Sequence, residues 1–242
     1  MKVLAEEPIG NIVSRNSHAA DIFDNFGMDY CCQGGLSLEE ACRKKGVAVE
    51  DMVKILENLS NHPEKETIAF DNWPLDLLID YIEKKHHRYV ETNIPVIKAY
   101  LDKVVRVHGK RHPALVEVRN LFYTSAGELT KHMKKEELML FPFVRKMVRL
   151  ALEGKSIEQW PLFHTVRNPV NAMLQEHDAE GSRFEKIREL TKGYQPPEDA
   201  CLTYRTTLAK LAVFEKDLHR HVHLENHILF PKALELEKKL SA

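Results

Sequence analysis

His221-Val222-His223-Leu224-Glu225-Asn226-His227-Ile228-Leu229-Phe230-Pro231 decides the fold, because an earlier stretch repeats it: His132-Met133-Lys134-Lys135-Glu136-Glu137-Leu138-Met139-Leu140-Phe141-Pro142. Aligned without gaps, the two share His, Glu, Leu, Phe and Pro at offsets 0, 4, 8, 9 and 10. A helix advances ~3.6 residues per turn, so His at i and Glu at i+4 leave the same face, one turn apart. Two such pairs offer two imidazoles and two carboxylates to a common interior. That donor set suits iron or manganese, and also zinc.

Single histidines complete the pattern. His87 lies 45 residues before His132, and His177 lies 44 before His221. The chain reads as two helical hairpins, each contributing a lone His and then a His-x3-Glu. Folded together they form a four-helix bundle with four His and two Glu directed inward, an arrangement that holds two metal ions in bundle cores. The helices are expected over Leu75 to about Val107, from near Pro113 through Glu136, from Pro169 to about Lys192, and from about Glu198 to Phe230. Residues from Lys232 onward read as a charged, frayed extension.

Periodicity leaves one choice open. Ile79 and Ile82 place position 86 on the apolar stripe of the first helix, whereas Val90, Ile94 and Ile97 place position 87 there. Pro95 marks an expected bend or irregularity in the same helix. Pro142 and Pro231 each fall six residues after their Glu, so both metal-bearing turns are expected to be built alike. Glu128, one turn before His132, and Glu176, beside His177, are candidates for orienting ligands or relaying protons. An exposed carboxylate is the alternative for Glu128. His108 and His112, in a loop among cations and a glycine, read as solvated.

The first sixty residues read as short helices: Ile9–Ser14, Ser17–Phe26 with Ser17 as N-cap, one opening at the capping box Ser37-Leu38-Glu39-Glu40, and Val49–Leu59. So small a unit makes a marginal core and needs a partner, either the bundle or another subunit. Between the second and third helices lies Gly27-Met28-Asp29-Tyr30-Cys31-Cys32-Gln33-Gly34-Gly35, a turn-rich loop. Neighbouring Cα atoms are ~3.8 Å apart, below the ~4.4–6.8 Å usual for a disulfide, so Cys31 and Cys32 are expected as free thiols. Adjacent thiols suit soft-metal binding, NO chemistry or thiol exchange; one buried and one exposed Cys without a role is the alternative. Cys42 and Cys201 fall in helical patterns and are expected in the core.

Composition narrows the function. Across 242 residues, 35 Lys+Arg against 36 Asp+Glu leave a net charge of -1, so no basic field points to nucleic acid. Thirteen His point to metal or proton chemistry. No apolar run spans a bilayer and no basic-then-apolar leader opens the chain, so neither a membrane segment nor a signal peptide is expected. Four Cys without such a leader suggest reduced thiols in the cytoplasm.

Several motifs together resemble those of the di-iron iron–sulfur cluster repair family, also called repair of iron centres. They are Asp29-Tyr30-Cys31-Cys32-x-Gly, His132-Met133-x-Lys135-Glu136-Glu137 through Leu140-Phe141-Pro142, and Asn168-Pro169-Val170 through Met173. Glu176-His177-Asp178, and His221 through Leu224-Glu225-Asn226 to Leu229-Phe230-Pro231, complete the set. The resemblance covers nearly the whole chain. It implies an all-α protein with a small helical Cys-Cys domain over 1–60, a linker over 61–74 and a hemerythrin-like four-helix bundle over 75–242. The family's first ligand His stands eight residues before a Pro, which selects His87 ahead of Pro95; the family's preceding Tyr is His86 here.

The resemblance further implies that His87, His132, His177 and His221 each bind one of two irons, with Glu136 and Glu225 bridging them alongside an oxo or hydroxo group. Open coordination positions would admit NO, O2 or peroxide. The implied function is repair of iron–sulfur clusters damaged by nitrosative or oxidative stress, through iron donation or NO processing. Cys31 and Cys32 would accept iron or a nitrosyl group, or dock the damaged protein. A non-catalytic O2 or NO sensor or carrier, and an NO or peroxide reductase, are the other readings of the same site. A homodimer is expected.

Overall fold

The computed structural model describes residues 2–60 and 68–241. The first half of the expected linker, His62 included, lies outside the described residues. The protein is all-α; beyond one isolated bridge between Pro8 and Ser37, the described residues hold no strand. None of their helices is long and apolar enough to cross a membrane.

Five short helices come first: α1 Lys2–Ala5, α2 Ile9–Arg15, α3 Ala19–Asn25, α4 Leu38–Lys45 and α5 Val49–Ser60. The capping box forms as the sequence suggests. Ser37 Oγ accepts from the Glu40 N–H at 3.2 Å, and the Glu40 carboxylate accepts from the Ser37 N–H at 3.0 Å. Gly46, in the left-handed region at φ 68°, closes α4. Ser17 does not cap α3; His18 holds that position without a side-chain bond.

Four rods follow. Rod A is α6 Leu75–Tyr81, a wide π turn over Ile82–His87, and α7 Arg88–His108. Rod B is α8 Ala114–Lys135, a π turn over Glu136–Leu140, and α9 Phe141–Leu152. Rod C is α10 Arg167–Leu190, regular throughout. Rod D is α11 Leu202–Leu224, a π turn over Glu225–Leu229, and α12 Phe230–Leu240. The irregularity of rod A thus sits at 82–87, while α7 runs on through Pro95.

Three further findings differ from expectation. The end of the chain is not frayed: α12 extends to Leu240, burying Ala233, Glu237 and Leu240. The Glu237 carboxylate accepts from the Val166 N–H at 2.6 Å and from Thr165 Oγ1 at 2.7 Å, fastening the crossover that leads into rod C. His108 is buried rather than solvated, and its Nε2 lies 3.1 Å from Cys201 Sγ. Cys201 itself is exposed, because it caps the start of α11 instead of lying within it. Cys42 is buried as expected.

The bundle core is split. One apolar cluster includes Leu101, Phe122, Phe184, Leu211 and Phe214. A second includes Leu78, Ile82, Phe141, Met147 and Phe230. Each fully buried side chain of this size contributes ~1.5–3 kcal/mol. The first cluster continues without a break into Ile9, Phe23, Leu38 and Met52 of the N-terminal helices and Tyr30 of the loop between α3 and α4. The partner so small a core needs is therefore the bundle of its own chain.

Candidate metal centre

A polar layer separates the two apolar clusters. His87, His132, Glu136, His177, His221 and Glu225 meet there, none more than 3% exposed. Their donor atoms form two overlapping sets of four, each within 4.8 Å of one another: His87, Glu136, His221 and Glu225, and His132, Glu136, His177 and Glu225. Both carboxylates belong to both sets. All four histidines present Nε2: His87 and His132 each stand 3.4 Å from Glu136 Oε2, His177 stands 3.3 Å from Glu225 Oε2, and His221 stands 2.9 Å from Glu225 Oε1.

The π turns place these groups. In each of rods B and D the Glu opens the turn, and the N–H of the following Phe returns to that Glu's carbonyl: Phe141 to Glu136 and Phe230 to Glu225. Pro142 and Pro231 come next and supply no N–H, so a regular i to i−4 ladder cannot resume there at once. The shared Phe has its own task. Phe141 stacks on His87 with centroids 5.8 Å apart, and Phe230 stacks on His177 at 5.9 Å.

Outer contacts fix three of the four rings. Glu137 Oε1 lies 2.9 Å from His87 Nδ1, Glu176 Oε2 lies 2.8 Å from His132 Nδ1, and Asn226 Oδ1 lies 2.7 Å from His177 Nδ1. Such contacts set the tautomer so that Nε2 carries the lone pair for a metal. His132 and Lys135 hold the Glu176 carboxyl down to about 2, against partial burial. Glu128 touches none of the six residues through a hydrogen bond; it pairs with Lys131 at 3.1 Å on the surface, at the rim of a cavity that reaches His132, His177 and His221. That cavity, about 200 Å³, is also lined by Glu176 and Glu180. Glu137 and Asn226 were not singled out from the sequence for these contacts; their shared place, directly after each repeat's Glu, is the signal that could have found them.

Electrostatics show what the layer is built for. Two carboxylates with no exposure, and with only His partners among the described residues, are costly unless positive charge joins them. Without metal, protons supply it. Burial opposes the charge on His87, but Glu136, Glu225 and Glu137 raise its pKa to about 9. Burial likewise opposes His177, and Glu225, Glu136 and Asn226 raise it to about 9. His221 goes the other way, pushed down by burial and by its neighbours His87 and His86 despite Glu225. Even so, His87 Nε2, both Glu136 oxygens and Glu225 Oε2 make no hydrogen bond among the described residues. Orphaned donor atoms aimed at one point, in a set of four imidazoles and two carboxylates, fit a pair of first-row metal ions.

The thiol loop lies against this layer. Cys31 is buried and Cys32 half-buried, their sulfurs 3.7 Å apart and unbridged. Asp29 Oδ1 accepts from the Cys31 and Cys32 N–H groups at 3.1 and 2.8 Å and lies 3.1 Å from Cys31 Sγ, so Asp29, Cys31 and Cys32 form a third donor set. The hydrogen bond with Cys32, burial and the Asp29 charge push the Cys31 thiol well up. Cys32 Sγ rests 3.6 Å from the His177 carbonyl oxygen and lines a cavity of about 530 Å³ with Lys44, Lys45 and Arg188. The Cys31 carbonyl accepts from Asn226 Nδ2 at 3.2 Å and His227 Nε2 at 2.9 Å. Asn226 therefore joins the loop to the ring of His177.

Comparison with known proteins agrees with this architecture. The model of the hemerythrin HHE cation-binding domain matches residues 78–233. The chain belongs to the iron–sulfur cluster repair family of hemerythrin-like proteins. A domain of unknown function, DUF542, matches residues 5–60. The iron-sulfur cluster repair protein ScdA of Staphylococcus haemolyticus is 33% identical over 227 residues, covering 94% of this chain and 97% of that one. The iron-sulfur cluster repair protein YtfE of Pectobacterium carotovorum subsp. carotovorum is 31% identical over 229 residues, covering 95% and 97%. That of Musicola paradisiaca is 30% identical over 232 residues, covering 95% and 96%.

Proposed function

We propose that this protein is a cytoplasmic di-iron protein that repairs iron–sulfur clusters damaged by nitrosative or oxidative stress. The observation that carries the reading is the pair of overlapping four-residue sets that share Glu136 and Glu225. His87 and His221 would hold one iron, His132 and His177 the other, and both carboxylates would bridge. Bound iron would supply a redox-active, partly open centre. NO or O2 would reach His132 and His177 through the cavity of about 200 Å³ that Glu128 and Glu176 also line. In this reading residues 75–242 form the metal domain and residues 1–60 the thiol domain. Cys32, whose Sγ lies 3.6 Å from the His177 carbonyl oxygen, would in this reading pass iron or a nitrosyl group between the centre and a client protein.

The test is repair of an NO-damaged iron–sulfur dehydratase by iron-loaded protein. Replacing both Cys31 and Cys32 by Ala is expected to leave iron content unchanged and to lower the recovered dehydratase activity severalfold. Recovery equal to wild type would remove the thiols from the mechanism. Sustained N2O production over many cycles, without recovery of the client, would make the protein an NO reductase instead.

A further inference from the structure

The two hairpins treat their histidines by one rule, which fails at one place. The residue after each shared Glu holds the outer nitrogen of the lone His: Glu137 holds His87 and Asn226 holds His177. The residue before each lone His should in turn hold the His of the opposite hairpin's His-x3-Glu. Glu176, before His177, does so with His132 Nδ1 at 2.8 Å. The equivalent residue before His87 is His86. Its ring lies parallel to that of His221, with centroids 5.6 Å apart and planes 5° apart, and its Nδ1 lies 3.2 Å from Asp217 Oδ1. His221 Nδ1 is left buried with no hydrogen-bond partner among the described residues.

The cause is local. Rod C is a regular helix through His177, so the neighbour Glu176 falls about 100° away, at the edge of the bundle, where a long carboxylate can reach back to His132. In rod A the π turn ends on His86 and His87, and both are carried inside, at 2% and 1% exposure. His86 thus fills the space beside His221 with a ring face rather than an acceptor. An outer acceptor orients a ligating imidazole and raises its basicity, and losing one typically costs ~10–100-fold in metal affinity.

We propose that the two halves of the centre hold their ions unequally, and that His86 sets the difference. The His87–His221 half fills second and empties first; the His132–His177 half, anchored by Glu176 and Asn226, is retained. This rests on the dinuclear reading above.

The experiment loads the full chain anaerobically with ferrous iron, measures iron per chain, and follows release to ferrozine. Wild type is expected to release two ions in two phases of equal amplitude. His86→Gln, which sets an amide oxygen beside His221 Nδ1, is expected to slow the fast phase by ~10-fold or more and leave the slow phase alone. Asn226→Leu, which removes the acceptor of His177, is expected to speed only the slow phase; it keeps the test decisive if His86→Gln does not fold. Two ions released in a single phase, or Asn226→Leu acting on the fast phase, would overturn this proposal while leaving the dinuclear reading standing. Fewer than two ions bound per chain would overturn both.

Discussion

The two copies of the His-x3-Glu stretch are alike inside the bundle and unlike outside it. In both, His and Glu enter the polar layer, the next residue bonds the lone His of the same hairpin, and the Phe stacks on that His. At the following position they diverge. Leu138 is 74% exposed, whereas its counterpart His227 is tucked under the thiol loop and donates to the Cys31 carbonyl. Glu137 faces Lys134 on the surface, with its carboxylate 2.6 Å from Nζ, whereas Asn226 spans His177 and Cys31. The shared residues build the metal layer. The residues that differ decide which side of it meets the cysteines.

The comparison can be broken where the copies are expected to be equal. Glu136→Leu and Glu225→Leu each remove a ligand common to both sets, so each is expected to abolish binding of the second ion and the visible spectrum of a bridged pair. Iron quantitation with an absorption spectrum reads this out. A normal spectrum in either variant would take that residue out of the bridge.

A second large effect concerns protons and also treats the halves alike. His87 and His177 are both held at about 9 without metal, so each carries a proton at neutral pH. Metal needs neutral imidazole, so uptake should expel ~2 protons. Affinity for the ion pair should therefore rise by about a hundredfold per pH unit below about pH 9 and level off above it. Proton release in weakly buffered solution during ferrous titration checks the number. Release of none would show that the metal-free layer is charged differently.

The smallest effect sharpens the contrast outside the layer. An added Cβ at Gly34 would stand 2.3 Å from His227 Nε2 and from the Tyr30 carbonyl oxygen. Gly34→Ala is therefore expected to lift the thiol loop from rod D and cost ~1–3 kcal/mol. Leu138→Ser, at the position matching His227, should stay within ~0.5 kcal/mol. Thermal denaturation of the two variants reads the difference.

The ambiguity between His86 and His87 turns out to be informative. The stripe Leu78, Ile79, Ile82 and the stripe Val90, Ile97, Leu101 are out of phase, because the π turn at 82–87 inserts an extra residue between them. A phase slip in an apolar pattern was visible in the sequence, but read with a fixed period it looked like a choice between two residues. Both are buried. The expected fraying after Lys232 failed for a related reason. Glu237 and Leu240 are held by the crossover between hairpins, through Thr165 and Val166 and through Ile157, a distant segment whose course no local pattern announces.

The sequence by itself determined the all-α class, the two hairpins and five of the six inward residues, because a repeated His-x3-Glu at helical spacing admits few other geometries; the sixth, His87, was separated from His86 only by the family resemblance. Tertiary structure alone decided which histidines share a donor set. The pairs are His87 with His221 and His132 with His177, each drawn from both hairpins, since packing brings rod A against rod D and rod B against rod C. It also decided that Asn226 links Cys31 to His177 and that His221 Nδ1 has no acceptor among the described residues. Periodicity tells a residue which way to face along its own helix; what it meets there depends on the neighbour's rotation and height, which only the packed core fixes.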